Sequence, residues 1–266
     1  FLLVLSALTV FVFYKNNIKD SGFYGVFCLA LLAHLAMVIF LYETGFQPFG
    51  GGADYTLYHQ TGTEIASRFS KGNFSFNGLY TEHFFPILIG IVYLCTTPSM
   101  IVGQMFVVYL AALSVGLVYN VTLEIGGTKK VAFLAGLFTI FYPSYLYFGS
   151  VLLKDTLVIP FVLVGILLIL KMVKSFSWAK FLLFFIATTC LINLRFYIGY
   201  AIMLSFMVSW LFLCSYPLKK RIGYLGILII LLGFSPYMLG NGYYGFSSFK
   251  KFLNPTSITY YREVVY

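Results

Sequence analysis

The stretch GFYGVFCLALLAHLAMVIFLY, residues 22–42, decides the fold. It carries no charged residue, and it reaches the ~20 apolar residues a helix needs to cross the hydrocarbon core of a bilayer. The segment directly after it is its opposite. Residues 43–82 hold Asp54, His59, Glu64, Arg68, Lys71 and Glu82, over a length far beyond the ~2 to 8 residues that ordinarily join two helices. A loop this long is functional or disordered, and its tyrosines and phenylalanines argue against disorder.

The rest of the chain repeats the first pattern. Of 266 residues, 61% are hydrophobic and only 9% charged, with a mean hydropathy of +0.92. A soluble domain carries about 25% charged residues, so this composition belongs in a membrane. Continuous apolar runs, rather than ~10-residue alternating segments, exclude a β-barrel. Further spans are predicted over residues 100–121, 131–152, 156–170, 180–194, 196–216 and 222–238, with a truncated run at 1–14. The expected fold is therefore an all-α polytopic transmembrane bundle, a single domain whose first loop (43–99) carries short interfacial helices. Cys28, Cys95, Cys190 and Cys214 are scattered singly, so neither a disulfide framework nor a zinc site is expected. The chain begins at Phe1 inside an apolar run and stops at Tyr266 after a polar tail (241–266), which reads as a fragment of a longer protein.

The formal net charge of +9 does not point to nucleic acid, because the basic residues sit in small clusters between spans. Lys15 and Lys19, Lys129 and Lys130, Lys171, Lys174 and Lys180, and Lys219, Lys220 and Arg221 form four such clusters. The positive-inside rule assigns all four to the cytoplasmic face. The alternation holds only if residues 84–96, short and containing Pro86, lie at the interface instead of crossing. On this count the long loop, the Lys154–Asp155 pair, the Asn193 to Tyr197 break and the tail all face outward.

Three constellations on that face carry chemistry. Asp54 comes after three glycines, 50–52, that permit close backbone approach to a ligand, and Tyr55, Tyr58 and His59 come next. An Asp in this place also serves as the N-cap of a short helix, and the two roles are compatible. Lys154 and Asp155 come after Tyr142-Pro143-Ser144-Tyr145; charges at a membrane edge are rare and often functional, although a snorkelling pair reads the same way. Arg195, flanked by Asn193 and Tyr197, has the planar fork that binds phosphate, or it anchors an aromatic belt. Glu82-His83 is too small a set for a metal, so no metal or other cofactor is expected, and His83 is grouped with Tyr58, His59 and Tyr197 as a substrate-contact candidate. His34, inside a span, reads as a packing residue.

The order of these elements is a span, a loop opening Gly-Gly-x-Asp-Tyr-x-x-Tyr at residues 51–58, further helices, then Tyr-Pro-Ser at 142–144 and Leu-Leu-Lys-Asp at 152–155. Over residues 22–216 this resembles the membrane-embedded GT-C glycosyltransferases, in the branch of the protein O-mannosyltransferases and lipid A aminoarabinose transferases. The resemblance implies a sugar donor carried on a polyprenyl phosphate and a lipid, glycan or protein acceptor. It also implies that Asp54 and Asp155 act as the outer-loop acids. The departing lipid phosphate gains charge and needs a cation, such as Arg195 or Lys154, and the expected location is a bacterial inner or plasma membrane. Where the mannosyltransferases carry Asp-Glu, this chain has Asp54-Tyr55, which argues against a protein acceptor. No Asp-x-Asp is present, against a metal-dependent nucleotide-sugar scheme. Two other classes fit the composition. An envelope polysaccharide polymerase or flippase would rely on outer-loop arginines, and a secondary transporter on ionisable groups at mid-membrane.

Overall fold

A bilayer core offers no water to backbone N–H and C=O groups, so an apolar run closes its hydrogen bonds within itself as a helix. The computed structural model describes residues 4–7, 9, 21–46, 53–81, 83–214 and 216–238, and every regular element among them is helical. From residue 21 onward these are α1 (Ser21–Thr44), α2 (Ala53–Ser70), α3 (Phe85–Leu94), α4 (Met100–Glu124) and α5 (Lys129–Phe141), followed by α6 (Pro143–Phe148), α7 (Asp155–Lys174), α8 (Trp178–Leu194), α9 (Phe196–Leu213) and α10 (Leu218–Met238). Four of these, α1, α4, α7 and α9, are long and apolar enough to cross a membrane. Lys15, Lys19, glycines 50–52, Glu82, the tail 241–266 and most of the 1–14 run lie outside the described residues. The chain divides into two compact units, Phe1–Leu170 and Lys171–Tyr266.

In the first unit α1, α4 and α5 form the core. Lipid tails are as apolar as leucine, so helices in a bilayer associate through close packing over small residues. That is the pattern here: a Cβ on Gly22 would lie 2.7 Å from the Tyr119 hydroxyl, one on Gly116 would lie 2.7 Å from Phe23, and one on Gly136 would lie 3.0 Å from Val26. Phe23, Val26, Phe27 and Ala30 bury against Ala112, Val115 and Tyr119 of α4 and Ala132 and Ile140 of α5. The start of α1 thus meets the end of α4, and the two helices run antiparallel. Gly25 against Phe133 and Val26 against Gly136 set α5 alongside α1 in the same direction.

This pairing fixes the long connection. The end of α1 and the start of α4 share one end of the bundle, so the chain between them leaves and returns on the same side. Lys129 and Lys130, opening α5, lie at the opposite end, where α1 begins. Helix α3 has 10 residues, or about 15 Å, half of the ~30 Å hydrocarbon core. On length alone it falls short of a full crossing.

The predicted span 131–152 is not one helix. Helix α5 stops at Phe141 and a separate six-residue turn, α6, starts at Pro143. Proline lacks the N–H that would continue the ladder and drives its predecessor out of the helical region; Tyr142 accordingly sits at φ −68, ψ 114. Residues 149–153 then form a turn that returns to α7.

In the second unit α8 and α9 pair about Arg195, which takes φ −149, ψ 88 and separates them. Phe176, Phe181, Phe206, Trp210 and Tyr224 stack at the other end of the pair, with Phe176 and Tyr224 ring centroids 4.2 Å apart. Arg221 donates to the carbonyls of Leu211 and Tyr216, satisfying acceptors left over where α9 ends.

Candidate active site

Helix α2 is amphipathic by sequence, and that decides which way Asp54 faces. Tyr58, Thr61, Gly62, Ile65 and Ala66 recur at helical spacing and are buried, while Asp54, Thr56, Gln60, Glu64 and Ser67 are exposed on the other side. The buried stripe packs on α3 through two glycines: a Cβ on Gly62 would lie 2.7 Å from Ile89 Cγ2, and one on Gly90 would lie 2.5 Å from Ile65 Cγ2. Tyr58, 1% exposed, meets Phe85 edge-on with centroids 5.2 Å apart. Tyr58 therefore lies in the seam between the helices. At its far end α2 closes with a Schellman turn: Asn73 N donates to Arg68 O, Gly72 N donates to Phe69 O, and Gly72 takes φ +74. Arg68 braces the turn by donating to Glu64 at 2.6 Å and to the Asn77 carbonyl at 2.9 Å.

Asp54 occupies the first turn of α2 and is exposed. A carboxylate there is stabilised by the free N–H groups and the positive end of the helix dipole. One turn on, His59 Nδ1 lies 2.8 Å from the Tyr93 hydroxyl of α3. Burial lowers the His59 pKa from 6.5 and raises that of Tyr93, so both partners of this hydrogen bond are neutral at pH 7. Below pH 6.5 the unfolded chain takes up a proton that folded His59 resists, so acid weakens the fold. Acidification is therefore expected to lower the melting temperature of the wild type more than that of His59→Gln, as read by thermal unfolding between about pH 7.5 and pH 5.5.

The second loop meets the first at two points. His83, 6% exposed, lies just before α3, and its Nε2 lies 2.5 Å from Lys154 Nζ. An ammonium has only protons to offer, so Lys154 donates to the lone pair of a neutral His83. Tyr147 of α6 lies beside Tyr55 of α2: burial raises the Tyr147 pKa, and the neighbouring Tyr55 phenol adds to it. Asp155, half-buried, opens α7 directly after Lys154. The polar loop carrying Asp54 and the turn carrying Lys154 and Asp155 are thus tied together at one end of the first unit.

Arg195 and Tyr197 belong to the second unit, where the guanidinium donates to the Tyr197 hydroxyl at 3.3 Å. Among the described residues no three His, Cys, Asp or Glu side chains gather as a metal would need. Tyr55 belongs to the loop signature, while Tyr93 and Tyr147 join the region only through the fold. Their signal in sequence was a phenol placed in or beside an apolar run, which needs a hydrogen-bond partner once buried. Comparison with protein-family models, curated proteins and solved structures returns no match for the chain.

Proposed function

We propose that the protein is a membrane-embedded glycosyltransferase that moves a sugar from a polyprenyl-phosphate donor to an acceptor hydroxyl outside the cytoplasm. The observation that carries this reading is the 2.5 Å contact between His83 and Lys154, which joins the loop bearing an exposed carboxylate to the turn bearing a cation. In the reaction the acceptor oxygen bonds to the anomeric carbon, its proton passes to Asp54, and the bond from that carbon to the phosphate oxygen breaks. The electron pair leaves with the lipid phosphate. A positioned carboxylate lowers the first cost, and a cation beside the departing phosphate lowers the second. Lys154 takes the phosphate, and His83 holds its ammonium in place until donor arrives. Because a polyprenyl donor lives in the bilayer, a site at one end of the spans is where it can be met.

The side of the membrane is set by charge. Lys129 and Lys130 lie at the end of the first unit opposite the Asp54 loop, so the positive-inside rule sets that loop outside, in a multi-pass plasma-membrane protein. Cysteines introduced at Glu64 and at Lys130, treated with an impermeant maleimide on intact cells, test it. Label is expected at position 64 alone, and label at 130 alone reverses the assignment. The reaction is tested by transfer of radiolabelled sugar from the lipid donor. Lys154→Ala is expected to raise the donor KM about tenfold through loss of one charge-assisted contact; an unchanged KM removes Lys154 from the donor site.

A further inference from the structure

We infer that His34, buried midway along α1, is a positioning residue for this site, acting through Ser150 to fix the turn that carries Lys154. The inference rests on Lys154 belonging to the proposed donor site. His34 and Ser150 are both 0% exposed, and His34 Nδ1 lies 3.2 Å from Ser150 Oγ. The Ser150 hydroxyl has one proton and two carbonyls within reach, that of Leu146 at 2.8 Å and that of His34 itself at 3.2 Å. Its lone pair is then left for the His34 Nδ1–H, which sets the tautomer of the ring. His34 Nε2 is buried with no hydrogen-bond partner, so the ring bonds through its Nδ1 side, toward the turn.

The packing around the ring agrees with this role. Tyr145 meets His34 edge-on at 5.4 Å and donates its own hydroxyl to the Ala111 carbonyl of α4 at 2.8 Å. A Cβ on Gly149 would lie 2.6 Å from His34 Cε1 and 2.8 Å from the Tyr145 carbonyl, so only glycine lets the turn approach this closely. At its other end the turn is closed by Thr156, whose hydroxyl donates to the Phe148 carbonyl at 3.1 Å. The turn is therefore held at Ser150 and at Thr156, and Lys154 lies between those two points with its ammonium on His83. A histidine that merely fills the core has no need of a bond to this turn. Here that bond sits four residues before the cation, in a medium where few side chains can replace it.

The test uses the full-length protein in nanodiscs, with Ser150→Ala, His34→Leu and His34→Asn. An asparagine amide donates from the position of Nδ1 and preserves the latch; the other two remove it. Hydrogen exchange of the amides at residues 150–156 and labelling of Lys154 by an amine-reactive ester are followed by mass spectrometry, with exposed Lys130 as the internal reference. Ser150→Ala and His34→Leu are expected to raise both rates about tenfold, the population change for roughly one buried hydrogen bond. His34→Asn and Lys130 are expected to stay at wild-type values, and sugar transfer is expected to fall only in the first two variants. Wild-type exchange and labelling in Ser150→Ala overturn the inference, as does an equal rise at Lys130, which reports general loosening. If the latch variants change both rates while even the wild type transfers no sugar, the latch stands and the glycosyltransferase reading fails.

Discussion

Asp54→Asn is expected to keep its fold and its donor binding while losing about 10² to 10⁴-fold in turnover, the usual worth of general-base assistance. The substitution separates two roles that a carboxylate in the first turn of α2 can play. Helix α2 begins at Ala53, so Asp54 lies inside its first turn and is not its N-cap. Asparagine keeps the shape of aspartate, and the charge lost from the helix dipole is worth about 0.3 to 1 kcal/mol on an exposed turn. A purely structural Asp54 therefore predicts a nearly silent change. A base predicts a large one, because the amide cannot accept the acceptor's proton. Equal donor KM with a collapsed kcat places the loss in the chemical step.

Gly90→Leu is expected to part α2 from α3 and to take the activity with it, although residue 90 touches no reacting atom. A Cβ at this position would lie 2.5 Å from Ile65 Cγ2, 2.7 Å from Ile65 Cβ and 3.3 Å from the Gly62 carbonyl. Ile65 is β-branched and 0% exposed, so its Cβ cannot swing away and the helices themselves have to move. Overpacking of this kind costs about 1 to 3 kcal/mol. The cost falls on the seam that also holds Tyr58 on Phe85 and His59 on Tyr93. The expected readout is faster proteolysis within residues 71–80 and faster amide exchange along α2. Gly223→Ala makes the contrast: nothing lies within 4 Å of a Cβ there, and both rates are expected to match the wild type.

The spans were legible because a bilayer imposes length and apolarity together. The predicted runs 22–42 and 100–121 became helices Ser21–Thr44 and Met100–Glu124, longer by Ser21, Glu43 and Thr44 in the first and by Thr122, Leu123 and Glu124 in the second. The run 131–152 was overcounted, since apolarity carries on past Pro143 while the helical hydrogen-bond ladder does not. Hydropathy measures the solvent a residue prefers, and a proline break is a matter of backbone geometry. A short helix is expected to open at Asp54, and the helix Ala53–Ser70 is found there, with a buried stripe from Tyr58 to Ala66. The same stripe takes Tyr58 into the helix seam, against Phe85. The His83–Lys154 pair could not be read in advance. The two residues are far apart in the chain, and only the folding of the 43–99 connection back onto one end of the bundle brings them within 2.5 Å. His34 was equally opaque, because a lone histidine in an apolar run carries no mark of the partner it will find.

The most direct test supplies the full-length protein in nanodiscs with a radiolabelled sugar on a polyprenyl phosphate and a membrane extract as acceptor. The account predicts that label leaves the donor for an acceptor with wild-type protein, and that Asp54→Asn reduces this by about 10²-fold or more. Label that stays on the donor with wild-type protein, or that moves equally fast with Asp54→Asn, contradicts it.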